Sequence, residues 1–303
     1  MRSGKILRAM THDGSARVLL TDTTAIVEYA RRLHGLSPMS TVCLGQLLTG
    51  TSLIGSMMGE KQESMTVGIR TGGSAGDLLA VSDYYGNVRG YMSNPDLPLT
   101  LTDSGAADTG AALGNGLFYM VHDTGKGEPM QGMIPSAARS VAETFAAYFA
   151  ESEQIPTVCA LGVLFHGDGS VRAAGGAFIQ LLPSPAEETV SALEKASAGL
   201  ADVTGRIAAG ETLTDVMQSL LTGIPYDLFD EIQTDYLCTC SRERMKRGIL
   251  SLGEAEIKKM LDEQSREGKP AELTAHCRFC GKDYVFAASE LLNSDDTNNT
   301  TTK

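Results

Sequence analysis

From Ile6 to Leu20 two runs rich in apolar residues, ILRAMTH and ARVLL, are separated by the polar turn residues Asp13-Gly14-Ser15. That pattern predicts a β-hairpin turning at Asp13-Gly14. Thr21–Thr24 then offer caps for a helix that runs to about His34-Gly35. Residues 35–59 carry no charge at all. A stretch this bland raises a membrane span, but Gln46 and many Ser, Thr and Gly residues dilute it, and no basic cluster flanks it closely. A helix beginning after Pro38 and buried against a sheet explains the small residues, including the Gly55–Gly59 pair, better. Short β-like runs follow: MTVGIR, DLLAVSDYYGNVRGYMS, LFYMVHD and MQGMIP, with Gly86-Asn87 as a hairpin turn. Over residues 140–152 the period changes to that of a helix, with Val141, Thr144, Phe145, Tyr148 and Phe149 on one face and Ser140 with Glu143 as a capping box. Two more strands, CALGVLFH and VRAAGGAFIQLL, are joined by Gly167-Asp168-Gly169.

These elements predict an α+β core domain over residues 1–183, with a mixed, largely antiparallel sheet and packed helices. Pro183-Ser184-Pro185 closes it. Ser184 as N-cap, Pro185 at the first helical position and Glu187 at the third predict a helix start. Residues 184–233 read as a helical linker region of three or four short helices, SPAEETVSALEKAS, LADVTGRIAAG, TLTDVMQSLLTG and DLFDEI. Their apolar faces are thin: Val190, Leu193, Leu200, Ile207, Val216, Leu220 and Leu221. Such helices need neighbours to pack against. Residues 234–292 form a small C-terminal unit that holds four of the six cysteines, and the polar tail 293–303 reads as disordered.

The 303 residues carry a net charge of -12. Residues 236–303 are balanced, with 11 basic and 11 acidic side chains, so the whole excess belongs to the first 235 residues. That charge disfavours nucleic acid and anionic membranes as partners. Tryptophan is absent and aromatics make up 6%, a poor basis for stacking on bases. The N-terminus MRSGKILRAMTHDGS has no apolar signal core, which leads to an expected cytoplasmic location. In that compartment a static disulfide framework is not expected.

The cysteines change the picture most. Cys238 and Cys240 stand one residue apart in DYLCTCSRER; Cys277 and Cys280 stand two apart in HCRFCGK; 36 residues intervene. Four thiolates from two such knuckles suit one closed tetrahedral zinc site. His276 is adjacent but surplus to a filled coordination sphere. Ser241 reads as the N-cap of the helix SRERMKRG, which places Cys240 near the positive end of a helix dipole. Arg242, Arg244, Lys246 and Arg247 follow Cys240, and Arg278 and Lys282 flank the other knuckle. Two readings stay open here. The charges can simply neutralise a four-thiolate zinc site, or they can poise the sulfurs for oxidation. Cysteines one residue apart in an extended chain have Cα atoms about 6–7 Å apart, near the limit for a disulfide, so that bond would be strained and easily reduced. Oxidation to Cys238–Cys240 and Cys277–Cys280 would release the metal, and a unit of this size with few core side chains depends on its metal to fold.

The chain resembles the bacterial redox-regulated holdase chaperones of the heat-shock protein 33 family. The resemblance rests on CTCSRER, CRFCGKDYVF, ILSLGEAEIKKML, YGNVRGYMSNP, IPTVCALGVLF and AAGGAFIQLLP, and covers nearly the whole chain. It implies a chaperone, not an enzyme, that is inactive when reduced and zinc-bound. Peroxide or hypochlorite, usually with heat, would oxidise the four cysteines, release zinc and unfold the zinc unit with the linker. The protein would then bind unfolding client proteins without ATP, as a homodimer. By position the ligands are Cys238, Cys240, Cys277 and Cys280, with the Cys277–Cys280 pair the first to close and Cys238–Cys240 the slower sensor.

Other signals are weaker. Cys43 and Cys159 lie in apolar runs and read as buried structural thiols. TGGSAGD and GAALGNG lack phosphate-loop spacing. The five histidines form no ligand set, and no nucleophile elbow is present. Two alternatives accompany the chaperone reading: a structural zinc module that binds RNA or the ribosome through Arg242–Arg247, which the net charge disfavours, and a thiol oxidoreductase that uses Cys277 and Cys280, which lacks the expected βαβ context.

Overall fold

The computed structural model describes residues 2–292, so the expected disordered tail at 293–303 lies outside the described residues. The chain divides into two compact units, Met1–Leu237 and Cys238–Lys303. Both are built from antiparallel strands and helices, the α+β class expected from the pattern.

In the first unit, β1 (Ser3–Thr11) and β2 (Ala16–Asp22) form the predicted hairpin, with Leu7 opposite Leu20. Its turn needs Gly14, whose φ of +69° is a region that a Cβ disfavours. Helix α1 (Thr24–His34) ends on Gly35 in the left-handed conformation. Helix α2 (Pro38–Gly55) opens with the Ser37 side chain accepting the Ser40 N–H. Then come β3 (Ser64–Thr71), β4 (Leu78–Asp83), β5 (Val88–Met92), α3 (Thr109–Leu113), β6 (Gly116–Asp123), β7 (Met130–Pro135), α4 (Val141–Glu151), β8 (Thr157–Phe165) and β9 (Val171–Leu181). Ser140 and Glu143 form the expected capping box on α4.

The linker segment supplies α5 (Glu187–Ser197), a 3-10 turn (Ala198–Asp202), α6 (Val203–Ala208), α7 (Leu213–Leu220), β10 (Tyr226–Leu228) and β11 (Ile232–Asp235). Two local expectations fail here. Ser184 does not cap α5: its φ is +60°, and Ala186 instead accepts the first helical bond, from Val190. The run DLFDEI is not a helix. Its ends pair with β1, Leu228 opposite Ala9 and Ile232 opposite Ile6, a long-range partner that overrides local propensity.

One sheet has the order β5-β4-β3-β6-β7; the other runs β10-β1-β2-β9-β8, with β11 also on β1. Helix α2 packs against both, and sixteen of its eighteen residues are buried, so it has no polar face to present. Its small residues are required by close approach: a Cβ on Gly50 would lie 2.5 Å from the Phe145 ring. Among the described residues no helix is long and apolar enough to cross a membrane. The opposite face of the second sheet, carrying Leu7, Val18, Leu20 and Ile179, is covered by Leu193, Val203, Val216, Met217 and Leu220 of the linker helices. Each helix is thin, and together they complete a core with the sheet.

The second unit contains α8 (Arg242–Leu250), α9 (Glu254–Arg266), the hairpin β12 (Glu272–His276) and β13 (Asp283–Ala287), and α10 (Ala288–Leu292). Its buried core is small: Ile257, Leu261, Leu273, Cys277, Tyr284, Phe286 and Leu291.

Candidate metal centre

The two knuckles are built differently. Cys238 and Cys240 lie on the non-helical segment that enters α8, and Ser241 caps that helix by accepting the Arg244 N–H at 3.3 Å. Cys240 thus sits one residue before the first turn, where unpaired N–H groups concentrate positive potential. Cys277 and Cys280 occupy the turn of the β12–β13 hairpin. There the Cys277 N–H donates to the Lys282 carbonyl at 2.9 Å, and the Gly281 N–H returns to the Cys277 carbonyl at 2.8 Å. Gly281 holds φ at +70°, which lets the chain reverse tightly behind the second sulfur.

The fold brings all four sulfurs within 4.8 Å of one another. Between the knuckles, Cys238 and Cys277 lie 3.6 Å apart and Cys240 and Cys280 3.4 Å apart. A disulfide would need about 2.05 Å, and all four cysteines are free thiols. In a tetrahedral zinc site with Zn–S bonds of about 2.3 Å, neighbouring sulfurs lie about 3.8 Å apart. The donor set therefore fits a closed, four-coordinate metal ion in number, chemistry and spacing. Cys277 is buried and the others are half-buried.

The sulfurs are not equivalent. Burial drives the Cys238 thiol up, and burial likewise raises Cys280. Burial acts the same way on Cys240, but there it is outweighed by hydrogen bonds from the Tyr284 hydroxyl and from Cys280, Cys238 and Cys277, which hold this thiol at about 7. The Tyr284 Oη lies 3.1 Å from the Cys240 sulfur. Its own pKa is raised to about 12, first by that hydrogen bond. The phenol therefore stays protonated and donates. Tyr284 was not singled out from the sequence. Its only signal was its place on the strand beside Cys280, inside CGKDYVF.

The flanking cations have partners of their own within the unit. The Arg242 Nη2 donates to both Glu290 carboxylate oxygens at 2.9 Å, and the guanidinium stacks 4.4 Å above the Phe286 ring. Arg244 donates to the Thr239 carbonyl and hydroxyl at 3.1 and 2.9 Å. Both side chains are occupied in bracing the loop around Cys240. Lys282 lies 5.1 Å from the Tyr284 ring centroid. His276 is outside the sulfur cluster and pairs with Asp283 at 2.7 Å. In the first unit Cys43 is fully buried and its thiol is pushed up to about 12 by desolvation. Cys159 is half-buried rather than fully buried, and burial raises it too. Neither belongs to the four-sulfur cluster.

An antiparallel α+β unit followed by a small hairpin unit whose four convergent thiols could hold a metal ion defines the class of this two-part protein. The chain belongs to the Hsp33 protein family, whose sequence model matches residues 4–287. It is 36% identical over 287 residues to a protein named 33 kDa chaperonin from Acetivibrio thermocellus, with 95% of each chain covered. A protein of the same name from Clostridioides difficile is 36% identical over 288 residues, covering 95% of this chain and 97% of its own. Among solved structures, the 33 kDa chaperonin (heat shock protein 33 homolog) of Thermotoga maritima superposes with a TM-score of 0.83 at 31% identity, covering 95% of this chain and 96% of that one.

Proposed function

We propose that this protein is an ATP-independent holdase chaperone, located in the cytoplasm, that is switched on by oxidation. In the reduced state Cys238, Cys240, Cys277 and Cys280 hold one zinc ion. The single observation that carries this reading is the set of four free sulfurs within 4.8 Å inside a unit whose buried core numbers seven residues. A bound zinc ion supplies no catalysis there; it cross-links the segment before α8 to the β12–β13 turn. Oxidation forms Cys238–Cys240 and Cys277–Cys280. Each bond removes two electrons from a pair of zinc-bound thiolates, and one hydrogen peroxide takes them up with two protons from solvent to give two waters. With all four sulfurs in disulfides no thiolate donor is left for the ion, and so small a core does not hold the unit together alone. The linker, residues 184–233, then loosens from the sheet it covers. The uncovered face, with Leu7, Val18, Leu20 and Ile179, offers apolar surface to unfolding client proteins, and the active form is a homodimer. Arg242 and Arg244 are occupied within the unit, and the net charge is -12, which counts against RNA as the partner.

The test is the aggregation of a thermally unfolding client protein, followed by light scattering. Protein treated with peroxide and heat should suppress aggregation at stoichiometric amounts, and reduced zinc-bound protein should not. Equal protection by the two forms would refute the switch.

A further inference from the structure

Strand β8 is an edge of the six-stranded sheet. On its inner side the Leu181 N–H donates to the Pro156 carbonyl at 3.1 Å. In an antiparallel ladder every second residue from that pair exchanges bonds with the partner strand. Val158, Ala160, Gly162 and Leu164 therefore face β9, and Cys159, Leu161 and Val163 aim their N–H and C=O groups outward. The Leu161 carbonyl agrees: it accepts the side-chain amide of Gln46 on α2 at 3.0 Å. No backbone partner meets the other outward groups among the described residues. The strand, TVCALGVLF, has neither a charge nor a proline. Sheets ordinarily guard an open edge with such residues, because an unguarded edge recruits another strand.

A trough of about 660 Å³ runs along this edge, floored by β8 from Cys159 to Phe165. Leu99 and Leu101, each 57% exposed, stand on one side, and Leu200 and Val203 of the linker on the other. The Gln46 Oε1 is buried in the trough without a hydrogen-bond partner. Asp202 is the one ionisable carboxylate in the lining, and the excess negative charge of the chain lies in this part of it.

We propose that the β8 edge docks an extended, uncharged apolar segment with basic flanks, taken from an unfolding protein, as an added strand. This rests on the holdase reading and gives it a second site, separate from the sheet face under the linker. Seven residues of β8 match about 23 Å of extended chain. The docked backbone supplies the donor that the Gln46 Oε1 lacks and pairs with Cys159, Leu161 and Val163. Loosening of the linker removes the wall at Leu200 and Val203 and opens the trough. A second copy is a poorer occupant. Paired strands lie about 4.8 Å apart, and both copies would bring their own walls to that gap.

The experiment uses the full chain, oxidised, with a synthetic peptide of alternating valine and threonine flanked by lysines. Amide hydrogen exchange is read residue by residue by NMR. Bound peptide should slow exchange at Cys159, Leu161 and Val163, leaving Val158, Ala160 and Leu164 little changed because β9 already protects them. Leu161→Pro removes one outward N–H and should weaken peptide binding at least about tenfold, the equivalent of one lost main-chain bond with its geometry. Leu99→Ser, which removes apolar lining without adding charge and lies outside the strands, should weaken it too. Oxidised protein that suppresses client aggregation, while these three amides exchange unchanged with peptide, would overturn edge docking and leave the holdase reading standing. Protection that appears without peptide and grows with protein concentration would overturn it in favour of a second copy. Failure of oxidised wild-type protein to suppress aggregation would instead remove the holdase reading itself.

Discussion

Replacing Phe286 by alanine should make the four-thiol unit lose its metal far more readily. Phe286 is fully buried and lies opposite Leu273 across the β12–β13 hairpin. Its ring carries the Arg242 guanidinium at 4.4 Å, and Arg242 in turn donates to Glu290 of α10. One side chain thus ties the helix after Cys240 to the strand after Cys280. Deleting a buried phenylalanine costs about 3–5 kcal/mol, and the lost cation–π contact adds about 0.5–1 kcal/mol. A total of about 4 kcal/mol rivals the whole stability of a small domain. Because the metal binds the folded unit and not the unfolded one, that loss appears in the metal affinity, weakening it about a thousandfold. The assay is competition on reduced protein against a chromophoric zinc chelator of graded concentration. The variant should release its zinc at chelator levels that leave the wild type loaded, and should switch on with less peroxide. Apparent zinc affinities within about threefold of each other would refute the claim that this core and the metal site stabilise one another.

Four further outcomes follow from the same geometry. Cys238→Ser removes one of four donors and should abolish stoichiometric zinc binding, giving protein that suppresses client aggregation without peroxide; zinc analysis and light scattering check both. Tyr284→Phe removes the donor to the Cys240 sulfur, and because a hydrogen bond to a thiolate favours the charged form, its loss should raise the Cys240 pKa from about 7 by roughly one unit in the metal-free reduced protein, as read by alkylation rate against pH. Leu220→Ala in α7 opens the core between linker and sheet and should cost about 2–5 kcal/mol, lowering the temperature at which a protease cuts residues 203–224. Cys43, buried with its thiol pushed up to about 12, should remain unmodified after the peroxide treatment that consumes the four-sulfur cluster, as shown by mass spectrometry of alkylated peptides.

The β1–β2 hairpin was legible because two apolar runs flank a turn that needs Gly14; both faces of these strands are covered, Ile6 lying in one core and Leu7 in the other, so the runs carry apolar residues on both sides. Helix α2 was legible for another reason: it lacks a polar face and is rich in small residues, and its burial between two sheets accounts for both. The four cysteines were legible because ligand spacing is a local constraint written directly into the chain. What local pattern could not show was set by distant partners. The segment DLFDEI has the composition of a short helix, but β1 offers it a strand ladder between Ala9 and Ile6. Ser184 has the chemistry of a cap, yet the chain enters α5 with Ser184 at φ +60° and starts the helix later. At the metal centre, the sequence placed Arg242 and Arg244 after Cys240 but not their partners, which are Glu290, Phe286 and Thr239. Tyr284 became visible only when the hairpin register placed its hydroxyl beside Cys240. Each of these depends on where a second segment lies.

The most direct measurement of the switch is zinc content with a free-thiol count on the same sample, before and after mild peroxide at a temperature that loosens the linker. The chain has six cysteines, and all six are free in this structure. Reduced protein should hold one zinc. Oxidised protein should hold none and should have lost four thiols, with Cys43 and Cys159 remaining. Peptide mapping should place the new bonds at Cys238–Cys240 and Cys277–Cys280. Zinc retained with all six thiols intact, under conditions where client aggregation is nonetheless suppressed, would contradict the proposal that metal release is the trigger.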